Sequence, residues 1–574
     1  MKNRSSKWLF ALLLCTAMIL SACASAPGAR RFVPGSFLGV GAGLYGPVLV
    51  EVSMSAADRI DAIRVLSHDE TFNIGNVPFE LLPALIVQHQ SLQVDIVTGA
   101  TISSMGFLAA VRDAVTRAGS DPGNFRGAVP PIYVPHQDTT ADVVIIGGGG
   151  AGMTAAIHAA RAGKRVILVE KLGIVGGTTT FAIEGYGSTG SITHRNLGTD
   201  ITPAMQAQIL TNNNPRGLPE AYQLFAHNSG PGADWLRSIG AMLTVAAGQM
   251  GVQASREVGE IGVTIMSALR LEAAHVGVDV RVNSRAVEIL MENNTAAGIR
   301  VSTRHGDYTI RAPAVILATG GFAANRDMVV EHRPELDGFR FASTTGARGD
   351  GHRMAQAVGA GLENMDHIRI NYVYAISRHT GFSYYAASPV NTGAIIVNNN
   401  GERFVNDQSG YHGGPAVLAQ GGSAWAIFDN TIRESVREVR RLGSLDLFYT
   451  ADTLQELAEL IGVNPAGLLR TVERYREFVA AGVDADFNRP MINMMFEKAP
   501  FHALRMTIHV QGTFGGVRTN LSAQVLTPAG AVIPGLFAAG EVASEGTFGT
   551  HPVSVNTVFG RIAAESATAF LAAR

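Results

Sequence analysis

"ADVVIIGGGGAGMTAAIHAARAGKRVILVEK" (residues 141–171) decides the fold of most of this chain. A buried-strand run of Val and Ile meets Gly147, Gly149 and Gly152 in G-x-G-x-x-G spacing, with Ala151 inside the turn. An Ala-rich helix follows, then a second apolar strand ending at Glu170 and Lys171. Glycines at this spacing allow a tight turn and close approach of backbone to a pyrophosphate, and the helix N-terminus faces those phosphates. A carboxylate about 20 residues further on suits ribose hydroxyls. The unit predicts a Rossmann-like dinucleotide site.

Whether the dinucleotide is FAD or NAD depends on segments far along the chain. "GGTTT" (176–180), "AVILATGGF" (314–322) and "GLFAAGEVASEGTFG" (535–549) each bring a glycine turn back toward one site. "PVSVNTVFGRIAAESATAFLAA" (552–573) reads as a closing helix. Repeated returns suit a long, extended dinucleotide; ordinary sheet strands with glycine turns are the plainer reading. The pattern resembles FAD binding in the fumarate reductase and succinate dehydrogenase flavoprotein group. That resemblance implies FAD contacts at Gly177, Thr178, Thr179, Gly185 and Val287, then at Thr319, Gly320 and Asp350. It adds Gly540, Glu541 and Val553 near the end. The positive end of the last helix would stabilise negative charge on a reduced flavin.

Composition bounds the rest. The 574 residues are too many for one ordinary domain, and 47% hydrophobic content supplies large cores. A net charge of −2, with no basic cluster beyond the extreme N-terminus, argues against nucleic acid as a partner. Lys2, Arg4 and Lys7 precede an apolar run from Trp8 to Leu20, which suits a signal peptide. The run ends "LSAC" (20–23), resembling a bacterial lipobox, in which Cys23 becomes the lipid-bearing N-terminus. A plain secretory signal is the alternative. Cys15, the other of the two cysteines, would leave with the signal, so no metal site, disulfide or C-x-x-C-H haem site is expected. Redox chemistry then falls to flavin or nicotinamide.

Residues 1–22 read as signal, 23–45 as a Gly/Ala/Pro tether and 46–120 as a small α+β domain. "GPVLVEVSM" (46–54) and "RIDAIRVLSH" (59–68) are strand-like. "SMGFLAAVRDAVTRAG" (104–119) repeats Met105, Leu108, Val111 and Val115 at helical spacing. Residues 121–140 have the composition of a linker. Before the helix stands "VDIVTGATISS" (94–104), either a turn with capping hydroxyls or an attachment site.

The small domain resembles the FMN-binding domains of sodium-pumping and electron-transport flavoproteins. Asp95, Thr98, Gly99, Ala100 and Thr101 match their D-x-x-[ST]-G-A-[ST] motif, which implies a phosphoester between FMN and Thr101. Residues 141–574 resemble the extracytoplasmic fumarate and urocanate reductases, including the flavocytochromes c. The implied fold class is α/β: a Rossmann-like FAD-binding domain interrupted by an α+β capping domain and preceded by the α+β FMN-binding domain. Its FAD parts would be 141–366 and 510–574, with the cap at 367–509, holding "GAIIVNNNGERFVND" (393–407) and a helical 454–482. The resemblance implies an FAD-dependent oxidoreductase acting on CH–CH or C=C bonds. Covalent FMN, installed by a flavin transferase, would replace haem as the entry for electrons from a membrane donor or another flavinylated protein.

The substrate positions depart from the family. Positions of its substrate histidines, acid and arginines fall on or near Asn371, Ala387, Val390, Tyr411 and Gly512. Tyr411 and His551 become the catalytic candidates, each with a structural alternative as packed aromatic or turn residue. Phe382, Tyr384 and Tyr385 suit an aromatic pocket or the core of the cap equally. The expected substrate is a small unsaturated carbonyl compound other than fumarate. A desaturase resembling ketosteroid dehydrogenases and a non-catalytic electron-transfer flavoprotein are the alternatives.

Overall fold

The computed structural model describes residues 31–574, apart from 45, 71–74, 98, 130–135, 183–184, 199–200, 214–215, 246–251, 255–260, 409 and 545–551. Cys23, Thr98 and His551 lie outside the described residues, as does the signal segment. The chain divides into two compact units, one ending at Pro135 and one from His136 to Arg574.

In the first unit three antiparallel strands, Gly35–Ala42, Pro47–Ala56 and Arg59–Ser67, form one sheet. Alternation along the middle strand points Val48, Val50, Val52 and Met54 inward. They meet Phe107, Val111 and Val115 of the helix Thr101–Arg117 in one core. The helix lies directly on strand backbone: a Cβ at Gly39 would come 2.0 Å from the Ala110 carbonyl, and one at Gly41 1.9 Å from that of Gly106. This corrects the tether expected over 23–45. "GSFLGVGA" is a strand whose glycines make room for a helix, a cause that composition does not reveal. The expected linker also shrinks. Phe125 is buried in the first core, and Thr139–Thr140 pairs in the second unit with Gly306–Arg311.

The second unit is built on a six-stranded sheet. Its central strands are parallel: Val532–Ala538, Ala314–Leu317, Val143–Ile146, Val166–Val169 and Asp279–Arg281. Such strands, covered on both faces, read as continuous apolar runs, as "VVII" and "AVIL" do. Helices Gly150–Arg161 and Pro552–Ala572 share the core on one face. A sheet of Arg285–Glu292, Thr295–Thr303 and Gly306–Arg311 contributes to the core on the other.

A seven-stranded sheet with its own core centres on the strand Phe501–Thr513, which pairs with Ile368–Ile376, Ser423–Asp429, Arg340–Phe341 and Phe448–Ala451. It passes both limits expected for the cap, starting at Arg340 and ending at Thr513, because this thirteen-residue strand runs unbroken. The helical stretch 454–482 is two helices, Leu454–Ile461 and Pro465–Ala481. Gly462 at φ 70° ends the first, and the Asn464 side chain caps the second. Among the described residues no helix is long and apolar enough to cross a membrane.

Candidate flavin and substrate sites

The cleft of the second unit opens where the parallel strands end, the usual place for a ligand in such sheets. It is lined by Gly147, Gly149, Ala151, Glu170 and Lys171 from the first strand–helix–strand unit. Gly177, Thr178 and Thr179 line it from the next turn, Thr319 and Gly320 from the third strand, and Asp350 and Glu541 from further along. At Gly147, φ is 109° and a Cβ would stand 2.3 Å from the Ala318 carbonyl. Gly149 caps the helix with no side-chain hydrogen bond and has only one atom, at 4.0 Å, near a would-be Cβ. The backbone there is bare toward the cleft, as a pyrophosphate requires. The residues fit FAD.

Other predicted positions do not reach the lining. A Cβ at Gly152 would lie 1.9 Å from the Gly147 carbonyl, so this glycine serves helix–strand contact. Gly540, at φ 77°, is packed against Ala151 and Asn556. Val553 is buried in the core, Gly185 has φ 129°, and Val287 lines an adjoining groove with Arg285 and Arg353. Sequence reasoning missed Asn556, which lines the cleft and donates to Thr179 Oγ1 at 3.2 Å. A polar side chain in the apolar opening "PVSVNTVF" of the last helix was the available signal.

The cleft carboxylates differ in their balance of charge. Glu170 Oε2 accepts from the Gly148 N–H and Oε1 from that of Leu172, each at 2.8 Å. Burial still raises its pKa above the ordinary carboxylate value, the two N–H groups opposing. Glu541 is raised by burial in the same way, against the N–H of Thr513, which it accepts at 2.8 Å. Asp350 is lowered: burial acts upward, but hydrogen bonding from Lys171 at 2.6 Å and the charges of Lys171 and Arg285 outweigh it.

In the first unit Thr101 is the exposed first residue of its helix, after Gly99 at φ 96°. The N-cap, Ala100, receives no side-chain cap. Ser104 Oγ donates to the Ala100 carbonyl and accepts from the Val97 N–H, and Ser103 donates to Glu70. Among the described residues Thr101 Oγ has no hydrogen bond, which leaves it available for attachment rather than capping.

At the family's substrate positions the side chains carry no cation. Ala387 and Val390 are buried in the core of the seven-stranded sheet. Asn371 is buried opposite His509, whose ring burial pushes down to about 4 and which stacks on Tyr374 at 4.6 Å. Gly512 stands beside Glu541. Tyr411 lies on the helix Gly410–Ala419, its side chain outside the described residues. The aromatic stretch is divided: Tyr384 is core, Tyr385 is half-buried edge-on to Tyr374, and Phe382 is exposed. Adjacent strand residues face opposite sides, so the three do not form one wall.

Residues 142–558 match the FAD binding domain family, and residues 43–116 match the FMN-binding domain family. The chain is 34% identical over 452 residues to "Fumarate reductase (cytochrome)" of Shewanella frigidimarina, covering 76% of this chain and 78% of that one. It is 33% identical over 563 residues to the urocanate reductase of Eggerthella lenta, covering 93% and 92%. Among solved structures it resembles the open conformation of a flavocytochrome c3 fumarate reductase, with a TM-score of 0.65 and 29% identity, covering 76% of this chain and 79% of that one.

Replacing Glu170 by Ala removes the acidic end of the cleft's first unit. The expected loss is a charge-assisted hydrogen bond to FAD, roughly 1.5–3 kcal/mol of binding. Titration of apoprotein with FAD measures it, and wild-type affinity in the variant would take Glu170 off the ribose.

Proposed function

The chain belongs to the FAD binding domain family of oxidoreductases, with an FMN-binding domain in front, and from that premise we propose an extracytoplasmic reductase of a C=C bond conjugated to a carbonyl, with a substrate other than fumarate. The observation that carries this is the neutrality of the substrate positions. A dicarboxylate needs paired cations, because each desolvated carboxylate left unpaired costs several kcal/mol. Asn371, Ala387, Val390 and Gly512 provide none. A neutral or singly charged substrate with an apolar or aromatic body fits them.

FMN held through Thr101 is the entry for electrons, and a membrane component or another flavinylated protein is the donor. Bound FAD, once reduced, would supply hydride chemistry at the carbon β to the carbonyl, and the chain would supply the proton for the α carbon. Gly147, Gly149 and Ala151 would hold the pyrophosphate and Glu170 the ribose, and the N-terminus of the last helix would favour negative charge on the reduced ring. Tyr411 holds the proton for the α carbon, with His551 beside the substrate. A phenol of ordinary pKa near ~10 retains its proton at neutral pH. Cys23 carries the lipid that holds the protein at a membrane, and a flavin transferase modifies Thr101 after export.

Dithionite-reduced holoprotein should be reoxidised by enones or aryl enoates and not at comparable rates by fumarate. Rapid turnover of fumarate would overturn the substrate reading. Tyr411→Phe should slow reoxidation by substrate while FAD still receives electrons from FMN; an unaltered rate would remove the tyrosine. Denatured, washed protein from a host with a flavin transferase should keep one FMN, and Thr101→Ala should keep none. Cys23→Ser should move the protein from the membrane fraction to the soluble extracytoplasmic fraction, and retention on the membrane would exclude the lipid anchor.

A further inference from the structure

Asn371 and Gln511 lie on neighbouring strands of the seven-stranded sheet, 140 residues apart in sequence and 3.3 Å apart between Nδ2 and Oε1. The backbone dictates how both amides point. The Val373 N–H donates to Asn371 Oδ1 at 3.2 Å, and an N–H finds an acceptor only at the amide oxygen. Asn371 therefore turns Nδ2 toward Gln511. That nitrogen can only donate, so Gln511 presents Oε1 to it and Nε2 away from it. Among the described residues Gln511 has no other hydrogen-bond partner. The residue is half-buried. Two N–H donors with a set direction remain.

Their place is the end of the strand that meets the flavin cleft. Two residues on, the Thr513 N–H donates to Glu541, which lines the cleft. One residue back, the Val510 carbonyl accepts from Ala342, beside Ser343, whose hydroxyl is 3.0 Å from that of the cleft residue Thr178. Gln511 thus stands between two links to cleft residues, one through Thr513 to Glu541 and one through Ala342 and Ser343 to Thr178. Arg369, the nearest cation along the strand, has interactions of its own.

The geometry points to Gln511 as the donor to the activating carbonyl oxygen of the substrate, with Asn371 as the positioning residue that keeps its amide in the donor orientation. This rests on the reading of a conjugated carbonyl substrate given above. Hydride from the two-electron-reduced flavin adds at the β carbon and displaces the C=C electron pair toward the carbonyl oxygen. Protonation of the α carbon draws that pair back into a C–H bond, so two electrons and two hydrogens end on carbon. The amide lowers the barrier by stabilising the transient charge, and it gives up no proton. A neutral donor needs no counter-charge when the site is empty, which suits a ketone, ester or lone carboxylate and not a dicarboxylate.

The test uses holoprotein reduced with dithionite and reoxidised by cyclohex-2-enone, cinnamate or fumarate, followed by flavin absorbance. Gln511→Ala should slow reoxidation by the enone or cinnamate on the order of 100-fold, with FAD content unchanged. Asn371→Asp replaces the donor facing Gln511 by an acceptor, so the Gln511 amide turns its Nε2 inward and its oxygen toward the substrate. It should cause a similar loss, and Asn371→Asp with Gln511→Ala should be no slower than Gln511→Ala alone. Additive losses would overturn the positioning role. If Asn371→Asp fails to load FAD, Gln511→Glu places an acceptor at the same point and should also be slow. A wild-type rate in Gln511→Ala overturns the assignment and leaves the proposed reaction standing. Wild-type protein reoxidised by none of the three compounds overturns both.

Discussion

The second unit depends on how closely backbone approaches backbone at one helix. A Cβ at Gly152 would stand 1.9 Å from the Gly147 carbonyl, and one at Gly560 would stand 2.5 Å from that of Ala151. The helix Gly150–Arg161 is therefore held between its own strand and the last helix of the chain, with no side chain in either gap. Nothing larger than hydrogen fits. The seating draws Asn556 against Thr179, residues 377 apart in sequence, and closes the cleft from its far side. The helix start then faces a space whose walls come from segments spread along the whole unit, from Ile146 to Asn556.

Charge in this unit is buried only where it is matched. Asp350 is shared by Lys171, Arg285 and Arg353, and Glu170 and Glu541 each take backbone N–H groups. Deeper in the seven-stranded sheet, Arg403 and Arg489 meet Asp407 and Asp484, two cations against two anions, almost without water. Removing one member would strand a buried charge, at a cost of about 3–5 kcal/mol. Arg489 also donates to the carbonyls of Val390 and Ala394, and Tyr372 to that of Asp407. The network ties the segment before the helix Gly410–Ala419 to the strand Ile368–Ile376 through Tyr372.

The first unit repeats the small-residue device at smaller scale. Gly39 and Gly41 let a helix lie on a strand, and the helix presents Thr101 at its exposed first turn. The neighbouring hydroxyls of Ser103 and Ser104 are consumed in holding the turn. One hydroxyl of the three, that of Thr101, is left exposed at the start of the helix.

The dinucleotide unit at 141–171 was legible from sequence because every part of it is local: strand, turn, helix and acid are contiguous, and each acts through its immediate neighbours. The apolar strands at 314–317 and 532–538 and the closing helix were legible for the same reason. The strand Gly35–Ala42 was read as tether because the reason for its glycines lies in a helix more than sixty residues later. Composition cannot carry that information. Gly152, of the glycine motif, and Gly540 and Val553, expected beside the cofactor from the resemblance, are packed against protein atoms, a distinction set by which atoms stand within a few ångströms of them. The Asn371–Gln511 pair is the clearest case. Either amide alone is an unremarkable polar residue in an apolar strand, and its orientation follows from one backbone N–H at Val373 and a strand register spanning 140 residues. The sequence determined which residues could hold a dinucleotide; only tertiary structure decided which polar groups face the cleft, because hydrogen-bond direction is a property of neighbours in space.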